Sequence, residues 1–132
     1  MTNTMNNPVR WLVFLLLIVA VSLFFFDFDS SIPNISSDDV LKKIVAKENI
    51  LLLDVRTEEE FSEGHLENAT LIPLHELNER INELEQFKEK EIIVYCRSGN
   101  RSKTATSILQ TKGFHAVNME GGIKQWNGTI VQ

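Results

Sequence analysis

Two patterns divide the chain. From Trp11 to Phe26 no residue carries a formal charge, and Ser22 is the single polar side chain. Coiled as an α-helix, that run is roughly 24 Å long, a little short of a bilayer core of about 30 Å. Val9 and Phe28 extend it, provided that Arg10 and Asp27 reach the interfaces with their polar ends. Apolar residues cover every helical face, which argues against a helix buried in a water-soluble core. Arg10 precedes the run and Asp27 and Asp29 follow it, so the basic flank stays cytoplasmic and the remainder is exported. Residues 1–10 then form a cytoplasmic N-terminus and residues 11–28 a single-pass anchor in the cell membrane, with the following domain on the extracytoplasmic face. Ala20-Val21-Ser22 leaves a second reading open, a signal peptide cleaved there to release a secreted protein. Such cleavage leaves Leu23-Phe24-Phe25-Phe26 as an apolar new N-terminus.

Beyond a short linker, residues 29–34 with Pro33, the pattern becomes an alternation of helix and strand. Ser36 caps a helix with Asp38 and Asp39 in its first turn and Val40, Leu41, Ile44 and Val45 on one face. The apolar run from Ile50 to Val55, with Asp54 near its end, suits a strand buried on both faces. Thr57-Glu58-Glu59-Glu60 has capping-box spacing and opens a short helix that Gly64 ends. A brief strand from Thr70 to Ile72 stops at Pro73. Leu77, Ile81, Leu84 and Phe87 recur at helical spacing within residues 75–87, as one or two helices. Glu91 to Tyr95 is a second strong strand, residues 102–112 are helical with Ala105, Ile108 and Leu109 inward, and Gly113 closes that helix. Phe114 to Met119 is a further strand, and Gly121-Gly122 precedes a helical turn running to Trp126. This order predicts an α/β domain over residues 35–132, a parallel sheet flanked by helices on both faces.

Composition narrows the function. The formal net charge of −5 and the lack of a basic stripe leave nucleic acid without an electrostatic footprint. One cysteine excludes an internal disulfide, and three scattered histidines beside it give no metal-binding spacing. No metal or other cofactor is expected.

The chemistry concentrates in Ile92-Ile93-Val94-Tyr95-Cys96-Arg97-Ser98-Gly99-Asn100-Arg101-Ser102. An apolar strand ends in the sole cysteine, which opens a polar loop before a helix. Consecutive N–H groups of residues 97 to 102 can form an anion-binding nest there, with Gly99 free to adopt positive φ. Such surroundings favour a thiolate, lowering thiol pKa values to about 3.5–7.5. Arg101, which closes the loop, is the better placed of the two arginines to touch an anion. Four residues separate Cys96 from Arg101.

Three segments resemble the rhodanese family. Leu53-Asp54-Val55-Arg56 through Glu60-Phe61 to Gly64-His65-Leu66-Glu67-Asn68-Ala69 is similar to the family's N-terminal signature. Val94 to Ser102 is similar to its active-site loop, and Gly121-Gly122-Ile123-Lys124-Gln125-Trp126 to its closing motif. The resemblance implies a sulfurtransferase in which Cys96 takes the outer sulfur of thiosulfate or a related sulfane donor, holds it as a persulfide, and passes it to a thiol or cyanide. It gives Arg97, Ser98, Gly99, Asn100, Arg101 and Ser102 as the substrate and anion loop. Asp54, Arg56 and His65 become structural residues near the site. Cysteine phosphatases, some of which share this fold, have five residues where this chain has four, a larger loop suited to phosphate. Asn68 stands where the family commonly has glycine, and asparagine tolerates the left-handed conformation. A rhodanese module that binds a partner protein or senses redox state is the alternative. With no second cysteine, sulfur or redox turnover needs an external thiol.

Overall fold

The computed structural model describes residues 8–26 and 31–132, without the side chains of residue 10 and residues 20–26. It divides into two compact units, Met1–Ser31 and Ile32–Gln132.

The first unit holds one helix, α1 (Pro8–Phe26). Proline suits the first helical position, where its missing N–H is no loss. Trp11, Leu12, Val13, Phe14, Leu15 and their successors to Val19 are all exposed. Among the described residues no helix is long and apolar enough to cross a membrane. The last residues of the expected span, 27 and 28, and the side chains of the cleavage-like Ala20-Val21-Ser22 lie outside those described.

The second unit is the α/β domain that the alternation predicts. Its main sheet holds five parallel strands, β1 (Asn34–Ile35), β2 (Ile50–Asp54), β4 (Thr70–Leu71), β5 (Glu91–Tyr95) and β6 (Ala116–Met119), in the order β1-β6-β5-β2-β4. The central pair is fully in register, from Ile50 opposite Glu91 to Asp54 opposite Tyr95. Alternate residues feed two cores, as strand geometry requires. Leu51, Leu53, Val55, Ile92, Val94 and Cys96 pack with Leu77, Leu84, Ala105 and Leu109. Leu52, Ile93 and Tyr95 face the other way, against Val40, Leu66 and Met119. Each fully buried aliphatic side chain contributes roughly 1.5–3 kcal/mol, so the two clusters hold helices on both faces.

Both short helices on either side of β2 start where their caps dictate. The Ser36 hydroxyl accepts from the Asp39 N–H to open α2 (Ser37–Val45). Thr57 and Glu60 form the reciprocal capping box of α3 (Glu58–Glu63). On α2 only Val40 is buried, while Ile44 and Val45 stay exposed, so the predicted apolar face is half used.

Residues 75–87 form the helices expected there, but mostly as 3-10 turns rather than α-helix. A 3-10 turn (Leu74–Glu76) leads into α4 (Leu77–Arg80) and a longer 3-10 segment (Ile81–Phe87). The reason is in the spacing: Ile81, Leu84 and Phe87 fall three apart, the repeat that a 3-10 helix stacks along one edge. The helix after β5, α5 (Asn100–Thr111), begins two residues earlier than expected. A small antiparallel pair of β3 (His65–Leu66) and β7 (Ile130–Val131) was not foreseen, since two-residue strands show no alternation to read. Asn68 is left-handed at φ 63°, as its place in the signature suggests.

Candidate active site

The central strand β5 delivers Cys96 to the carboxyl end of the sheet, the edge at which open α/β sheets bind ligands. Cys96 is buried and the chain turns at once into α5. That turn needs a glycine: Gly99 sits at φ 106°, immediately before the first helical residue. A second glycine supports the loop from beneath. Gly122 lies so close that a Cβ there would collide with the backbone of Cys96 and Arg97. The N–H groups of Ile123 and Lys124 donate to the carbonyls of Cys96 (2.8 Å) and Arg97 (3.1 Å). The closing Gly-Gly segment therefore clasps the cysteine loop and fixes its shape.

The sulfur is set among donors. The Gly99 N–H points at Sγ from 3.1 Å and the Ser102 hydroxyl lies 3.3 Å away. Burial pushes this thiol up. The Ser102 hydroxyl and the N–H groups of Ser102, Gly99 and Ser98 more than offset it, leaving the pKa below the ordinary thiol value. All of these donors belong to the loop segment 97–102. Ser98, Arg97 and Asn100 are exposed at its rim, whereas Gly99 and Ser102 are buried.

Arg101 does something other than wait for an anion. Its Nη1 and Nη2 bind the two oxygens of Glu60 at 2.7 and 2.8 Å, a fork that joins α5 to α3. Its guanidinium is held charged chiefly by Glu60, with a smaller contribution from Cys96. Glu60 serves twice, because the same carboxylate accepts the Thr57 N–H in the capping box. The Arg101 guanidinium is the main reason the Glu60 carboxyl falls from 4.5 to about 2, against an opposing push from burial. A folded-state pKa below the unfolded one gives stability that is complete above about 4.5 and disappears as pH falls toward 2. Glu60→Gln should accordingly be less stable than the parent at pH 6, with the gap in urea midpoint closing between those two pKa values. A gap that stays constant down to the lower value would refute this origin.

Asp54, Arg56 and His65, expected to be structural, make definite contacts near the site. Arg56 binds Asp54 through Nε (3.0 Å) and Nη2 (2.7 Å), and Nη2 also donates to the Gly64 carbonyl at 2.8 Å. Both partners are buried. The pair ties the end of β2 to the end of α3, with the Arg56 guanidinium 5.7 Å from the centre of the Tyr95 ring. His65 stacks on Phe61, ring centres 3.6 Å apart, and its Nδ1 lies 2.9 Å from the Phe61 carbonyl oxygen. It therefore braces α3 from within β3. Trp126 is half-buried and packs on the Tyr95 side.

Two residues join the site that the sequence reading passed over. Ser102 Oγ donates to Asn118 Oδ1 at 2.7 Å, and Asn118 Nδ2 donates to Asn34 Oδ1 at 2.8 Å. A polar side chain inside the otherwise apolar strand Ala116–Met119 was the available signal. Among the described residues no group of three His, Cys, Asp or Glu could hold a metal ion.

Cys96 thus lies buried among N–H groups at the strand-to-helix turn of a parallel α/β sheet. The rhodanese-like domain profile matches residues 37–129, and the chain belongs to that family. YtwF of Bacillus subtilis is 39% identical over 97 residues, which cover 74% of this chain and 92% of that protein. A sulfurtransferase of Allochromatium vinosum is 33% identical over 96 residues, 72% of this chain and 88% of the other. The crystal structure of a rhodanese-like domain protein from Staphylococcus aureus superposes with a TM-score of 0.67 at 32% identity, covering 72% of this chain and 91% of that one.

Proposed function

We propose that the chain is a sulfurtransferase that carries sulfane sulfur as a persulfide on Cys96, with thiosulfate or a related compound as donor and a thiol or cyanide as acceptor. The observation behind this reading is the buried Sγ held under N–H groups at the head of α5. The Cys96 thiolate attacks the outer sulfur of thiosulfate, a new S–S bond forms, and sulfite leaves with the electron pair of the broken bond. The product is an anionic persulfide, stabilised by the same donors that favoured the thiolate. A thiolate or cyanide then attacks the terminal sulfur, and the electrons of the Cys96–sulfur bond return to Cys96. Gly99 and Gly122 give the loop its curvature, and the backbone of Ser98 and Ser102 supplies further N–H donors. Arg101 is paired with Glu60 beside the loop, and Arg97 and Asn100 are exposed for the incoming anion.

The same proposal places the domain on the outer face of the cell membrane, tethered by the segment 11–28. Its support is the uncharged sequence from Trp11 to Phe26 between Arg10 and Asp27. One experiment on the full chain addresses both halves. Protein from the membrane fraction, purified in detergent and mixed with thiosulfate, should gain one sulfur atom on Cys96 in intact-mass and peptide spectra, and lose it to cyanide. Treating intact cells first with a membrane-impermeant thiol reagent should block that gain. No mass gain with any sulfane donor would dismiss the transfer reading, and a gain unaffected by the reagent, or protein absent from membranes, would dismiss the placement.

A further inference from the structure

The Ser102 hydroxyl has one proton and two acceptors within reach. Asn118 Oδ1 is 2.7 Å away and Cys96 Sγ 3.3 Å. Ser102 and Asn118 are both buried, which leaves little access for water to take over either role. The outcome depends on which end of the Asn118 amide faces inward. Its Nδ2 is engaged by Asn34 Oδ1 at 2.8 Å, so the carbonyl is turned toward Ser102. While its proton goes to that carbonyl, Ser102 is not free to donate to Sγ, and the lowering that its hydroxyl exerts on the thiol is held back. We infer that Asn118, its amide oriented from the outer strand by Asn34, is a positioning residue that competes with Cys96 for the Ser102 proton and so limits what that hydroxyl contributes to the thiolate.

The backbone N–H groups of the loop favour the anion unconditionally. The Ser102 hydroxyl favours it only after giving up Asn118. Turning the Asn118 amide over would reverse the whole chain: Nδ2 would donate to Ser102, and Ser102 to the sulfur anion. Asn34 opposes that turn while it presents an acceptor. It stands in β1, so the segment through which the domain joins its N-terminal helix lies three hydrogen bonds from the reactive sulfur.

The inference rests on the persulfide reading only for its importance, since the sulfur's ionisation is measurable by itself. Cys96 is the sole cysteine, so the pH dependence of its alkylation by iodoacetamide reports this group alone. Full-length parent, Asn34→Ala, Asn34→Asp and Asn118→Leu are compared in one detergent. The charges around the site (Arg101 with Glu60, the Asp54–Arg56 pair, Arg97 and Lys124) are common to all four. Asn34→Ala and Asn118→Leu should move the midpoint down by about half a pH unit or more, the size expected when one hydroxyl donor is released to a thiolate. Asn34→Asp keeps an acceptor for Nδ2 and should stay with the parent; any effect of its added charge is upward. An Asn34→Ala midpoint equal to the parent's, or an upward move in Asn118→Leu, overturns the inference. Should Asn118→Leu fail to fold, the exposed Asn34 pair decides alone. A parent that takes no sulfur from any donor while Asn34→Ala still shifts downward would sink the sulfur-transfer reading and leave this inference standing.

Discussion

Cys96→Ser yields a folded protein that transfers no sulfur. The replacement removes one atom's worth of chemistry and little else. A serine oxygen at that position can still accept the Gly99 N–H and meet the Ser102 hydroxyl, so its polar contacts survive. The change in unfolding free energy should stay within about 1 kcal/mol, as for a buried hydrogen-bonding group exchanged like for like. Catalysis depends on what oxygen lacks: an anion accessible near neutral pH and the capacity to store a second sulfur. Thiocyanate production from thiosulfate and cyanide should fall to the uncatalysed background, with urea unfolding of parent and variant recorded alongside. A variant that retains a tenth of the parental rate would remove Cys96 from the carrier role.

Asp54→Ala should be the most damaging single change away from the sulfur. It strips the carboxylate from Arg56, whose guanidinium is buried and whose remaining partner is the Gly64 carbonyl. Leaving an uncompensated buried charge costs about 3–5 kcal/mol, a large part of the total stability of about 5–15 kcal/mol typical of a domain. The melting temperature should drop by roughly 12 °C or more. Replacing both partners, as in Asp54→Leu with Arg56→Met, should recover much of the loss, because two apolar groups need no partner. If the double variant is no more stable than Asp54→Ala, the cost came from packing and not from the orphaned charge.

The fold was legible where burial writes a strong pattern. Ile50 to Asp54 and Glu91 to Tyr95 are long apolar runs, and both became central parallel strands with the registers such runs allow. The caps at Ser36 and Thr57 were equally readable, because capping needs particular oxygens at fixed spacing. Residues 81–87 left the helix type open, because three-residue spacing fits a loose α-helix and a 3-10 helix alike until neighbouring side chains choose between them. At the site, the loop glycine and the donors around Cys96 were readable for a local reason: they are close in sequence. Arg101 was different. Its partner Glu60 lies 41 residues away, and nothing in the loop itself says that the guanidinium is already occupied. Asn118 and Asn34 were missed likewise, since their roles exist only once β1 lies beside β6.

That first strand also sets a practical limit on dissecting the protein. Pro33 and Ile35 carbonyls accept the N–H groups of Asn118 and Glu120, each at 2.9 Å. A fragment trimmed to begin at residue 35 would bare the flank of β6, a row of unpaired donors and acceptors that invites another chain to pair there. It would also lack Asn34. Loss of solubility and altered thiol behaviour would then arrive together in a sample with every loop residue intact, and rates from such a sample would describe the trimming as much as the enzyme.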